Sequence, residues 1–502
     1  MPLSWLIIGQ IPIDSLLLLI LKYDKMKRND FLRYSAFLAI TPLAIGCGNE
    51  GKRSVEKPNI IFIMTDQQSA SMMSCTGNTW LTTPAMDYIA QNGVRFTRAY
   101  TTNPVSSPSR VSLMTGRFAG SFKDDQGLQV RENDGSMRIP EISDEVRQTT
   151  IAAFLKKAGY ELIFGGKQHL PKALAADSLG FRVITYNERD SLADKAAMEI
   201  KARHDKPYYM VVSLINPHDI CYMAIRHFAT TSEEKAIMEH GSVECATLDK
   251  ALQKPEGVSD EEFFAKYCPT LPANFEPQEG EPKAIRSLLM RRPFRENARD
   301  KFSENDWRMH RWAYCRLTEL VDKEIQAILD AIKDSGQENN TLIIFSSDHG
   351  DMNAAHRMEH KTALYEEAAN IPFLVMWKGH IPGGIVDSTH LVSTGLDLLP
   401  TVCDFAGIKG IADPRGRSLR PLFEGKENVW RETLGVESEI GRMVISKDKL
   451  KFIKYDAVGI EEQLLDLSRD PYEKTQFTNN PEYQEKFAEL RRAFETEWFP
   501  GY

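Results

Sequence analysis

Two stretches of this chain, PNIIFIMTD (58–66) and NTLIIFSSDHGD (340–351), are unbroken apolar runs that open onto an aspartate. A strand with one wet face alternates apolar and polar residues. A strand apolar at every position has to be covered on both faces, as in a parallel sheet held between two layers of helices. KPYYMVVSLINPHD (206–219) and NIPFLVMW (370–377) read as further strands, and TIAAFLKKAGYELIFGGKQHL (150–170) as helix, strand, then loop. TPAMDYIAQNG (83–93) reads as a helix, with Thr82 or Thr83 as its cap, Pro84 in its first turn and Gly93 closing it. Leu317, Leu320, Val321, Ile325, Ile328, Leu329 and Ile332 recur at helical spacing within 306–335. The alternation predicts an α/β fold with a mostly parallel sheet flanked by helices. Polar groups at such strand ends gather beyond the carboxyl edge of the sheet, so Asp66, His218 and Asp348 are expected to share one site.

The chain has 502 residues, enough for one large domain with an appendage, and its net charge of −8 gives no bulk reason to expect nucleic acid as a partner. Residues 220–305 are rich in Glu, Pro and Lys without a clean period and are expected to form an insertion over the site. GRMVISKDKLKFIKYD (441–456) reads as short antiparallel strands and PEYQEKFAELRRAFETEWF (481–499) as a last helix. They define a smaller C-terminal α+β subdomain at 420–502, after a main domain at 57–419.

Residues 1–56 are expected to be an export signal and tether. Met26-Lys27-Arg28 begins a positive segment, FLRYSAFLAITPLAIGCGNE follows, and Gly46-Cys47 reads as a lipoprotein cleavage point, with Ala44 where Leu is usual. The expected location is the periplasm or outer membrane of a Gram-negative bacterium, with the membrane touched only through lipid on Cys47. The other six cysteines are widely spaced, leaving room for one or two disulfides.

Asp66, Gln67, Asp348 and His349 offer oxygen and nitrogen ligands at strand ends, a set suited to a hard divalent cation. Lys167 and His169 in GGKQHL, His218 in NPHD and Lys361 in HKTALYEE could hold an anion and move protons. Any of these taken singly is an ordinary cap or surface residue.

The stretch SSPSRVSLMTGR (106–117) has the form Ser, any residue, Pro-Ser-Arg, four residues, Thr-Gly-Arg. With IIFIMTDQQ, GGKQHL, NPHD, SSDHGD, KTALYEE and LLDLSRDPYE (464–473), it resembles the type I sulfatase family of the alkaline phosphatase superfamily over residues 57–500. The resemblance implies an alkaline-phosphatase-like fold. It implies that Ser106 is oxidised to formylglycine by a serine-type maturating enzyme, and that Asp66, Gln67, Ser106, Asp348 and His349 surround Ca²⁺, with Mg²⁺ as an alternative. Gln67 and His349 depart from the Asp and Asn common in the family at those positions. Arg110, Lys167, His169, His218 and Lys361 fall on catalytic and sulfate-binding positions. The diol of a hydrated aldehyde explains the modification, since its second hydroxyl lets the sulfo-enzyme release sulfate without attack by water on sulfur. His218 is the expected proton donor to the leaving alcohol and His169 the base for the second hydroxyl.

The resemblance further implies an exo-acting carbohydrate sulfatase whose substrate is a sulfated oligosaccharide from a glycosaminoglycan, a mucin or an algal glycan. His310, Arg311 and His356 are candidate substrate contacts, with the loops near Asp124 and Arg131 as further specificity elements. The rival readings are a metal-dependent phosphatase or phosphodiesterase of the same superfamily, and a non-catalytic lipoprotein that binds sulfated glycans.

Overall fold

The computed structural model describes residues 57–122, 136–139, 141–426 and 429–502. The expected export segment at 1–56, with Cys47, and also Asp124 and Arg131 lie outside the described residues. Among those residues, no helix is long and apolar enough to cross a membrane.

An eight-stranded sheet runs through the main domain. In spatial order its strands are Arg182–Thr185, Glu161–Gly166, Tyr208–Pro217, Asn59–Asp66, Thr341–Ser347, Phe373–Met376, Val94–Phe96 and Ile385–Asp387. The first five are mutually parallel, and Phe373–Met376 runs antiparallel to both of its neighbours. Asn59–Asp66 and Tyr208–Pro217 are buried at every position, as their uninterrupted apolar sequences require. One face packs against the helices Ile151–Lys157, Ser106–Thr115 and Thr394–Phe405, through Phe62, Tyr209, Val211, Leu155, Val111 and Leu399. The other packs on Pro84–Gln91, Leu192–Lys201 and Glu304–Asp334, through Ile61, Ile63, Met210, Met86, Ile200, Val321 and Ile328.

The long helix starts on a capping box, with Ser303 accepting from the Asp306 amide and Asp306 accepting from the Ser303 amide. Gly93 serves a purpose other than closing its helix. A Cβ there would sit 2.2 Å from the Val375 carbonyl oxygen, so glycine is what lets the helix end approach the sheet. The region 220–305, which lacks a helical period in sequence, is largely helical in short pieces, among them Tyr222–Phe228, Ser232–His240, Ser242–Ala251, Lys283–Met290 and Pro293–Lys301. Lys283–Met290 buries one face through Ala284, Ile285, Leu288 and Leu289, while others bury isolated residues such as Leu248 and Phe294, so no single period runs through the region. The six cysteines, Cys75, Cys221, Cys245, Cys268, Cys315 and Cys403, are all free thiols, so the room left for disulfides goes unused.

The C-terminal part is an antiparallel meander of Thr433–Ser438, Gly441–Ser446, Leu450–Tyr455 and Glu461–Asp466. The helix Gln484–Ala493 covers it, with Phe487 and Phe494 edge-on to Phe452. The meander also reaches the site. Ser438, in its first hairpin, donates to the Thr362 carbonyl at 2.6 Å, next to Lys361.

Candidate active site

Four adjacent parallel strands end on the same edge of the sheet and deliver Lys167, His218, Asp66 and Asp348. Local backbone devices aim these groups. A register shift between Met64 and Asp66 sets Asp66 opposite Pro217, the residue before His218. Gly166, at φ +93°, turns the chain so that the Lys167 amide donates to the Ser213 carbonyl at 2.9 Å. Gln67 holds a left-handed φ of +68°, which points its amide at Asp348 Oδ1, 3.1 Å away. Such backbone costs energy and persists only where the surroundings enforce it.

Asp66, Asp348 and His349 are fully buried, and one ligand atom from each falls within 4.8 Å of the others. His349 Nδ1 donates to the Gly350 carbonyl at 2.8 Å, so its Nε2 is the atom that carries the lone pair and faces inward. That Nε2 lies 2.8 Å from Ser106 Oγ, which is itself 3.5 Å from Asp66 Oδ1. Burial, and after it Lys361, hold the His349 imidazole below its ordinary pKa against the pull of Asp348 and Asp66, in the neutral form a metal ligand requires. Two carboxylates, one imidazole and the residue-106 oxygen are a donor set that fits a divalent cation.

Ser106 opens the helix Ser106–Thr115, whose N-cap, Val105, has no side chain to bond the first amides. Those amides and the positive end of the helix dipole therefore face the cluster. Ser107 instead accepts the Met137 amide at 2.7 Å, and Ser109 donates to the Asp348 carbonyl at 2.7 Å. Of these three serines, Ser106 is the one beside the cluster.

Arg110 ties the site together from below. It is 1% exposed and donates to Asp348 Oδ2 and Asp66 Oδ2, both at 2.9 Å, to the Lys167 carbonyl at 2.9 Å and to Ser213 Oγ at 2.7 Å. Lys167 Nζ lies 2.7 Å from Asp66 Oδ2. Burial by itself would raise the Asp66 carboxyl, but Lys167, and after it Arg110 and Lys361, hold it well below the usual carboxylate range. Across the cluster, Lys361 Nζ donates to Gln67 Oε1 at 2.9 Å. His169 and His218 are both held neutral by burial and then by Lys167, His169 down to about 3. Both ring nitrogens of His169 and Nδ1 of His218 lack partners, so these groups are available to a bound molecule. Lys167, Lys361 and the two neutral histidines, His169 and His218, stand around the cluster, an arrangement that receives an anion.

The other nominated residues fall in different places. The Gln67 side chain bonds Asp351 Oδ2 at 2.7 Å through Nε2, and its oxygen receives both Lys361 and, at 3.0 Å, the Cys221 thiol. Two of the three nominated substrate contacts are interior groups. His310 is fully buried with Nε2 3.4 Å from Asp351 Oδ1, and His356 is fully buried and stacked on Tyr365 at 4.2 Å. Arg311 donates to the Asn353 carbonyl and lines a cleft of about 390 Å³ with Trp80, Asn274, Glu367 and Tyr472. Asp351 went unread in sequence although it ends the SSDHGD stretch. It organises the Gln67 amide, the His310 ring and, at 2.6 Å, the Asn353 amide. Ser213 and Cys221 carried no sequence signal, because each acts through a neighbour that only the fold supplies.

Residues 58–408 match the family model described as Sulfatase, and residues 354–497 match the model described as N-sulphoglucosamine sulphohydrolase, C-terminal. A Delta 4,5-hexuronate-2-O-sulfatase of Bacteroides thetaiotaomicron is 26% identical over 480 residues, covering 89% of each chain. An N-acetylglucosamine-6-O-sulfatase of the same organism is 26% identical over 518 residues, covering 91% of this chain and 89% of that one. Among solved structures, a 2-O GAG sulfatase superposes with a TM-score of 0.71 at 24% identity, over 88% of this chain and 91% of the other. The phosphonate monoester hydrolase of Agrobacterium radiobacter shares the fold at a TM-score of 0.63 and 19% identity, over 87% and 94%. With the family model spanning most of the chain and the cation cluster, residue 106 and the cationic wall in one place, this protein belongs to the type I sulfatase family of the alkaline phosphatase superfamily and is a sulfuric ester hydrolase.

Proposed function

We propose that this enzyme is an exo-acting carbohydrate sulfatase that removes a sulfate ester from a glycan, using a formylglycine made from Ser106. The observation that carries the reading is Ser106 Oγ, buried and 2.8 Å from an unprotonated histidine nitrogen that is itself part of a two-carboxylate cluster. A calcium ion at Asp66, Asp348, His349 and residue 106 would supply positive charge beside the nucleophilic oxygen and the sulfate. The hydrated aldehyde would supply a second hydroxyl for turnover.

The chain's own residues account for the rest of the reaction. Arg110 and Lys167 keep Asp66 ionised and fixed, so the cluster is preorganised before substrate arrives. Lys167 and Lys361 clamp the sulfate oxygens. His218, at the end of its strand with Nδ1 uncommitted, protonates the departing sugar oxygen. A bound sulfate monoester sets negative charge against this ring and opposes the depression of its pKa. His169, neutral with both nitrogens open, accepts the proton of the second hydroxyl when sulfate is expelled.

A glycan substrate is supported by relatives named for hexuronate and N-acetylglucosamine sulfate esters. Maturation by a serine-type enzyme in the producing cell, and export as a lipoprotein anchored at Cys47, complete the proposal from the sequence motifs. The test is peptide mass analysis of protein from its native host, with free sulfate measured on defined sulfated mono- and disaccharides. Loss of two hydrogens at Ser106, turnover of sugar sulfates and inactivity of Ser106→Ala are expected. Full activity with an unmodified Ser106 would sink the formylglycine step, and activity on aryl sulfates alone would sink the carbohydrate assignment.

A further inference from the structure

Pro293–Lys301, a helix of the 220–305 region, carries two arginines and follows a third, and the three have different fates. Arg292, just before it, pairs with Glu233, and Arg299 pairs with Glu281 at 2.8 Å. Arg295, between them, has no such carboxylate among the described residues. Its Nε is sealed from solvent with no hydrogen-bond partner, the residue as a whole is half-buried, and its guanidinium carbon lies 5.8 Å from the centre of the Phe294 ring. A guanidinium has five donors in a rigid fork, and here the Nε donor is the buried one left unmatched.

The position of this arginine is informative. The preceding residue, Phe294, packs its ring 5.1 Å from His360, which adjoins Lys361. The Arg295 guanidinium lies against that same Phe294 ring, one ring away from the loop that carries Lys361, a group assigned to the sulfate, and burial and then the charges of Arg295 and Lys361 press His360 toward its neutral form. Cys221, Asp351 and Glu439, the last from the first hairpin of the C-terminal meander, are the acidic groups nearest it in effect. Burial draws its pKa down to about 10, which still leaves it charged at neutral pH.

We propose that Arg295 forms an anion subsite beside the sulfate-binding wall and selects substrates with a second oxyanion, a carboxylate or another sulfate, on the sulfated sugar or its neighbour. The inference rests on the sulfatase reading and deepens it. Planar, bidentate recognition of an oxyanion is what a guanidinium fork supplies. The three elements that meet there, the 293–301 helix, the loop before Lys361 and the 438–441 hairpin, are otherwise remote in sequence. A hydrogen-bonded charge of this kind is worth about 10- to 100-fold in discrimination.

The experiment uses matured enzyme and matched substrates: glucuronic acid 2-sulfate against glucose 2-sulfate, and glucosamine N,6-disulfate against N-acetylglucosamine 6-sulfate. The parent should prefer the doubly charged member of at least one pair by about 10-fold or more in kcat/KM. Arg295→Gln should erase that preference through KM, while leaving turnover of 4-nitrophenyl sulfate and the melting temperature unchanged. The pair affected tells carboxylate from sulfate. No preference in the parent, or an equal loss on all esters in the variant, overturns the proposal. A parent inactive on every ester overturns the sulfatase reading instead. The subsite is then read by calorimetric titration of glucuronic acid 2-sulfate and glucosamine N,6-disulfate, each against its neutral counterpart, where equal affinity of parent and Arg295→Gln for both overturns it.

Discussion

Replacing Arg110 by methionine tests whether the two buried carboxylates form a cation site held ready by protein charge. Methionine fills most of the volume and removes every donor. The change breaks bonds at 2.9 Å to both Asp66 and Asp348, with no solvent to compensate. Removing one partner of a buried ion pair typically costs about 3–5 kcal/mol. The lower end applies here. Asp66 keeps Lys167 at 2.7 Å, and Asp348 keeps the Gln67 and His349 amides at 3.1 and 2.9 Å. A loss of about 3 kcal/mol in a domain of this size lowers the melting temperature by roughly 3 °C. The assay is scanning calorimetry at pH 7 in chelator and then in millimolar calcium. Calcium should stabilise the parent and should stabilise Arg110→Met more, because the ion replaces the positive charge that was lost. An unchanged melting temperature in chelator would refute the energetic argument. An equal calcium gain in both proteins would refute the coupling between Arg110 and the cation site.

Three further outcomes follow from the geometry. Gly166→Ala places a Cβ 2.2 Å from the Ser213 carbonyl oxygen at φ +93°, and should destabilise by roughly 2–5 kcal/mol in denaturant titration while displacing Lys167 and lowering activity. His218→Ala should slow sugar sulfates by about 100-fold or more and 4-nitrophenyl sulfate much less, since nitrophenolate leaves without protonation; equal losses on both would remove His218 as the donor. Burial lifts the Glu324 carboxyl to about 8, against the pull of Arg189. The folded state therefore binds more protons than the unfolded state between pH 4.5 and 8, and stability falls as pH rises through that window. Glu324→Gln should flatten that decline in melting temperature above pH 5 and leave the value near pH 4 unchanged.

The fold was legible where one strand or helix carried its own signal. Asn59–Asp66 and Tyr208–Pro217 could be read because burial on both faces dictates an unbroken apolar run. The long helix 304–334 could be read because it repeats its apolar stripe many times. The region 220–305 could not, since its helices are short and separate, and a stripe such as Ala284, Ile285, Leu288 and Leu289 lasts only two turns. At the site, the strand-end aspartates, the histidines and Ser106 stood in recognisable local strings. The sequence could not say that the Gln67 amide turns to Asp351, that His356 is a stacked interior ring, or that Arg110 spans two carboxylates on different strands.

By itself, then, the sequence determined the parallel α/β framework, the identity of residue 106 as a serine within its motif, and the set of acids and bases delivered at the strand ends. These follow from short-range rules: burial dictates composition, and a strand's last residue lies at its edge. Tertiary structure alone decided which of these groups touch, which nitrogen of His349 faces Ser106, and which arginine of the 293–301 helix has a buried Nε with no hydrogen-bond partner. Those are contacts across tens to hundreds of residues, where geometry and desolvation set the chemistry of a side chain and its neighbours in the chain do not.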